Sequence, residues 1–128
     1  DYYASRGLGD VYKRQYFDKD ASGTYKYSYE EEECYPEKGI DRVKPFVEWI
    51  KQNKFHGFIG EYGIPDNDPR WNETLDLFLG YLQENGINGT YWAAGPWWDT
   101  YFMAITPKDG KDRPQMPIIE KYTSTLKK

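Results

Sequence analysis

Short apolar runs in this chain alternate with longer stretches whose apolar residues recur every three or four positions. Parallel strands cannot be joined by a tight turn and need a long crossover, usually a helix, so this alternation points to an α/β fold. The first apolar run is expected to end as a strand near Phe17. Ile40, Val43, Phe46, Val47 and Ile50 then share one face of a helix over Asp41–Asn53, with Pro45 near its first turn, where a missing N–H is tolerated. Phe55–Glu61, bounded by glycines, reads as a buried strand. A second helix is expected over Trp71–Asn85, with Trp71, Leu75, Phe78, Leu79 and Leu82 on its apolar face and Gly86 beyond its end. Gly89–Ala94 reads as the third strand. Gln115–Leu126 reads as the last helix, with Met116, Ile119 and Tyr122 turned inward.

From Glu61 to Trp92 is about thirty residues, the size of one βαβ unit. Three such units suit a doubly wound sheet or part of a barrel, and periodicity does not choose. The 128 residues are about half of what a complete (β/α)8 barrel needs. Residues 1–15 have no clear period, and the stretch from Arg6 to Gln15 resembles translated sequencing-adapter read-through. The domain is therefore taken as residues 16–128.

Charge and hydropathy exclude some partners. The net charge is −4 with no basic stripe, so nucleic acid is not an expected partner. No run approaches 18 apolar residues, so no membrane span is expected. The single cysteine, Cys34, cannot form an internal disulfide. Residues 1–15 lack the apolar stretch of a secretory signal. Aromatic residues make up 19% of the chain, with 13 Tyr and 5 Trp. Such an excess in a polar chain serves packing or stacking on flat ligands, sugar rings among them.

Three segments carry possible chemistry. Gly60-Glu61-Tyr62-Gly63 puts a carboxylate at the C-terminal end of a parallel strand, where barrel enzymes place catalytic groups. A carboxylate there can attack an anomeric carbon, although a strand-end glutamate also serves as a plain partner for a surface lysine. Tyr91-Trp92-Ala93-Ala94-Gly95-Pro96-Trp97-Trp98 places an indole one unit further on, followed by two more in an irregular turn. An indole there can floor a sugar ring. Tyr16-Phe17-Asp18 closes the preceding strand, and a phenol at that end can donate a hydrogen bond to Glu61 and lower its pKa.

Together these segments resemble glycoside hydrolase family 5, and within it the endo-β-1,4-glucanases. That family shows His-x-Tyr followed by Asp-x-Asp-x-Ser-Gly at its sixth strand, Gly-Glu-Phe/Tyr-Gly at the seventh and Trp-Ala-Ala-Gly-Pro-Trp-Trp at the eighth. Here they stand as Gln15 to Gly23, Gly60 to Gly63 and Trp92 to Trp98. The resemblance implies an α/β fold corresponding to the C-terminal part, about strands 6–8 with their helices, of a (β/α)8 TIM barrel. It implies a retaining glycosidase that degrades cellulose, without metal or cofactor. Glu61 would be the nucleophile and Tyr16 its hydrogen-bond partner. Trp92 would be the sugar platform, with Trp97 and Trp98 extending the cleft. The substrate would be a β-glucan polysaccharide or oligosaccharide, and the parent a secreted monomer. The family also holds mannanases and xylanases, and a non-catalytic carbohydrate-binding domain is the competing class.

The departures matter as much. Arg14 stands where the family has His, and no segment matches the family's fourth-strand acid/base glutamate. A retaining mechanism needs two carboxyl groups about 5–5.5 Å apart, so the isolated chain is expected to be inactive. Asp18-x-Asp20-x-Ser22-Gly23 opens like a calcium loop, but its twelfth position is Tyr29 rather than Glu. Glu30–Glu33 and Asp99 are expected to be solvated, and His56, before the strand, to be structural.

Overall fold

The computed structural model describes residues 16–20, 26 and 28–123. Helix α1 spans Lys38–Gln52, strand β1 Phe58–Tyr62, helix α2 Arg70–Glu84, strand β2 Asn88–Tyr91 and helix α3 Met116–Thr123, with a 3-10 turn at Pro96–Trp98 before α3. Among the described residues the sheet has two strands, β1 and β2, which pair in parallel. Phe58 faces Asn88, Ile59 faces Gly89 and Tyr62 faces Tyr91. Two residues, Gly60 and Glu61, thus stand opposite Thr90 alone, and the register shifts there. Such a bulge re-aims a side chain, and bulges are over-represented beside active sites.

The helices form where apolar spacing places them. Val43, Phe46, Val47 and Ile50 of α1 are buried, as are Trp71, Leu75, Phe78, Leu79 and Leu82 of α2. The layer between sheet and helices is aromatic. The Phe78 ring lies 5.0 Å from Tyr16, 5.2 Å from Phe17 and 5.6 Å from Tyr62. Gly39 lets α1 approach this layer, because a Cβ there would stand 2.5 Å from the Phe17 ring and 2.9 Å from Phe78. Among the described residues no helix is long and apolar enough to cross a membrane.

Several expectations are corrected. Tyr16 and Phe17 themselves lie in a turn, and the residues before them, where the first expected strand falls, are outside the described set. α1 begins at Lys38 because that lysine is buried, its ammonium donating to the carbonyls of Glu32 and, at 3.4 Å, of Glu33. Burial lowers its pKa. Phe55 precedes β1 and is exposed, its ring 5.4 Å from Trp49. β2 ends at Tyr91, and Trp92 to Ala94 leave the strand. Glu32 is not solvated. It is 1% exposed, and its carboxylate accepts the N–H of Lys19 at 2.6 Å and that of Lys26. Asp18, of the calcium-like segment, is buried against the Arg42 guanidinium at 2.8 Å. Residues 1–15 and the end of the last expected helix are outside the described residues.

α3 is tied to α2 through Asp76. The Lys121 ammonium lies 2.8 Å from its carboxylate, and the Tyr122 hydroxyl donates to it at 2.5 Å. The Lys121 ammonium, then the Tyr122 hydroxyl, hold the Asp76 carboxyl below its ordinary pKa. A depressed pKa stabilises above the unfolded value of about 3.9 and loses that contribution as pH falls through the folded value. Asp76→Asn is expected to lower the urea midpoint at pH 7. The gap from wild type closes on acidification below about pH 4.

Candidate active site

Glu61 is half-buried on the bulged segment of β1. Past the strand, the Trp92 N–H donates to the Tyr62 carbonyl at 2.8 Å, so the ladder continues one step beyond β2. Gly63 makes this approach possible. A Cβ at position 63 would stand 2.4 Å from the Trp92 carbonyl oxygen and 2.8 Å from the Met103 methyl. Any side chain there would displace backbone, so the glycine after Glu61-Tyr62 holds the Glu61 strand against Trp92. Two buried phenols flank the junction. Tyr62 is pushed up to about 12 by burial. Tyr91 is raised by burial, and its hydroxyl donates to the Ile64 carbonyl at 3.1 Å and accepts the Ile64 N–H at 3.3 Å. Both stay neutral at physiological pH and serve as packing and hydrogen-bonding groups.

The turn after β2 builds a run of rings. Trp92 and Trp98 lie 5.0 Å apart at 65°. Trp98 is 5.2 Å from Tyr101, which is 5.0 Å from Phe102. The Trp92–Ala93 peptide is cis. Gly95 takes φ 125°, a backbone that side chains rarely adopt. Its N–H donates to the Thr106 hydroxyl at 2.8 Å, and that hydroxyl donates back to the Gly95 carbonyl at 3.2 Å. The Ile105 N–H donates to the Ala93 carbonyl at 2.9 Å. Trp92 and Trp98 therefore come together, while Trp97 is 89% exposed with no ring against it among the described residues.

Tyr16 is in the aromatic layer, its ring against Phe78 and, at 6.4 Å, Phe17. Its phenol oxygen is buried. Asp99 is exposed and His56 is exposed ahead of β1.

Sequence reasoning missed the polar seam beneath the turn. Arg113 is 7% exposed. Its guanidinium pairs with Asp66 at 2.9 Å and donates to the carbonyls of Thr106, at 3.1 Å, and Asp99, at 2.5 Å. Gln115, fully buried, donates to the Ile64 carbonyl at 3.2 Å and the Phe102 carbonyl at 3.4 Å. Nothing in the sequence separates this arginine from a solvated one. Tyr101-Phe102-Met103, close behind Trp97-Trp98, was the readable sign that the aromatic run extends.

Comparison with known proteins identifies the fold and the family. The family model for Cellulase (glycosyl hydrolase family 5) matches residues 13–97. A probable endo-beta-1,4-glucanase B of Aspergillus kawachii is 38% identical over 113 residues, covering 84% of this chain and 32% of its own length. The crystal structure of Pseudomonas stutzeri endoglucanase Cel5A in complex with cellobiose matches with TM-score 0.76 and 44% identity, covering 85% of this chain and 33% of that one. The endo-beta-1,4-glucanase Xac0029 of Xanthomonas axonopodis pv. citri matches with TM-score 0.76 and 33% identity, over 90% of this chain and 36% of that one. The chain thus spans about a third of the relatives it matches. The strands and helices described above are accordingly part of a (β/α)8 barrel, and the chain belongs to glycosyl hydrolase family 5, the cellulases.

Proposed function

We propose that the whole protein is a retaining endo-β-1,4-glucanase in which Glu61 is the nucleophile. The observation that carries this reading is the junction of Glu61 and Trp92. A carboxylate on a strand bulge and an indole sit on adjacent parallel strand ends, drawn together by the Tyr62–Trp92 backbone bond and the bare Gly63. In the reaction, a Glu61 oxygen bonds to the anomeric carbon as the glycosidic C–O bond breaks. A second carboxyl protonates the leaving oxygen, and water later hydrolyses the glycosyl-enzyme. No segment of this chain matches that second group, so it belongs to the rest of the barrel.

Trp92 and Trp98 form the platform on which sugar rings stack, and exposed Trp97 extends the cleft outward. Tyr16 is the proposed hydrogen-bond partner of Glu61, in addition to its core contacts. The substrate is a β-glucan, a choice supported by relatives solved with cellobiose and cellopentaose. Mannan and xylan are the alternatives within the family. The parent is proposed to be a secreted monomer that needs no metal or cofactor. The purified 128-residue chain and its Glu61→Gln variant are both expected to leave carboxymethylcellulose and a chromogenic cellobioside unhydrolysed. Turnover by the wild type alone would place the acid/base within this chain, and equal turnover by both would remove Glu61 as nucleophile.

The same aromatic run also suits a purely binding role, favoured by the exposure of Trp97. Carboxymethylcellulose hydrolysis by the whole barrel separates the two readings.

A further inference from the structure

We infer that Arg113 is a positioning residue that fixes the Trp92–Trp98 platform relative to the Glu61 strand end. The inference rests on the proposed site. Its three acceptors lie on three different pieces of backbone. Asp66 is on the loop that leaves β1 after Glu61, Asp99 directly follows Trp98, and Thr106 holds Gly95 at the root of the aromatic turn. A guanidinium presents five N–H donors in a rigid fork, so it can hold three such acceptors at once.

Burial makes the arrangement binding. The Arg113 side chain is 8% exposed and that of Asp66 19%. A charge desolvated this far is retained only with its partners in place, and moving either loop would leave it uncompensated. The remainder of the seam runs parallel to this clamp. The Asp66 N–H donates to the Phe102 carbonyl at 3.0 Å, and Gln115 bridges the Ile64 and Phe102 carbonyls. Those contacts join the β1 loop to the residues after the turn. Arg113 adds the end of the turn that carries Trp98.

Lysine separates positioning from plain charge. It keeps the cation for Asp66 but has one nitrogen, which cannot also reach the Asp99 and Thr106 carbonyls. Trp92 and Trp98, close and tilted, form a coupled pair of chromophores that gives a two-signed exciton band in far-ultraviolet circular dichroism. Trp98→Phe in the 128-residue chain assigns that band. Arg113→Lys is expected to keep the helical signal and lose at least about half of the band. Cellopentaose affinity, read by tryptophan fluorescence, is expected to fall about tenfold, less than the full worth of the two charge-assisted hydrogen bonds lost because neither touches the sugar. Full retention of the band in Arg113→Lys overturns the inference. So does loss of the helical signal, which would make Arg113 a residue of the fold at large, and so does a wild type without the band. If the band behaves as expected while wild type binds no cellopentaose, the clamp stands and the sugar platform of the proposed function falls. If wild type binds and Arg113→Lys changes neither readout, the platform stands and the clamp falls.

Discussion

A chimera that carries residues 16–123 in place of the matching third of the Pseudomonas stutzeri endoglucanase hydrolyses carboxymethylcellulose, and Glu61→Gln within it lowers kcat by about 10⁴-fold or more. The graft supplies the rest of the barrel, with the second carboxyl proposed to lie there, and leaves Glu61 as the tested group. Gln has nearly the shape of Glu but cannot form the glycosyl ester, so the loss falls on the chemical step while KM stays close to its starting value. Equal activity of chimera and variant would reject Glu61. A parallel Tyr16→Phe chimera tests the remaining assignment. A phenol that donates to Glu61 orients the carboxylate for attack, so its removal lowers kcat in the chimera. A residue that serves the Phe17 and Phe78 ring contacts alone keeps them as Phe, so both kcat and the thermal midpoint stay close to their starting values.

What could be read from the sequence was whatever periodicity or glycine encodes locally. α2 was anticipated within a residue at each end, because Trp71, Leu75, Phe78, Leu79 and Leu82 mark one face without interruption. α1 starts earlier than its apolar pattern does. Lys38 and Gly39 carry no apolar signal, and both are buried for tertiary reasons, one by loop carbonyls and the other by two aromatic rings. Phe55 was drawn into β1 by its apolarity, yet it is exposed beside Trp49. Tyr16-Phe17 is a turn against Phe78, and the strand expected before it falls outside the described residues. Aromatic residues satisfy strand, turn and core patterns alike, so composition alone does not place them.

In the candidate site, Glu61 and Trp92 were legible because glycines and a strand end mark them. The pairing of Trp98 with Trp92, and the separation of Trp97 from both, were not. They follow from a turn in which Thr106 meets Gly95, and Arg113 meets both Asp99 and Asp66, only in space. Glu32 shows the same limit. Within a run of four acidic residues, which one is buried depends on where the Lys19 and Lys26 N–H groups arrive.

Phe78→Ala is expected to cost about 3–5 kcal/mol of folding stability, against a change within about 0.5 kcal/mol for Leu77→Ala on the same helix. Leu77 is 38% exposed, whereas Phe78 is fully buried and touches three rings from two parts of the chain. Domains hold only about 5–15 kcal/mol in all, so the larger loss removes much of the native population. Urea midpoints with unchanged slopes measure both variants. The effect should extend to the site. Phe78 lies under Tyr62, whose carbonyl receives the Trp92 N–H, so a cavity at position 78 lets the strand beside Glu61 settle away from the Trp92–Trp98 pair. Phe78→Leu fills most of that space and should recover most of the stability, since volume governs the loss. Equal midpoints for Phe78→Ala and Leu77→Ala would mean that the aromatic layer does not hold β1 in place. The alignment of Glu61 with Trp92 would then rest on the Gly63 approach and the seam beneath the turn.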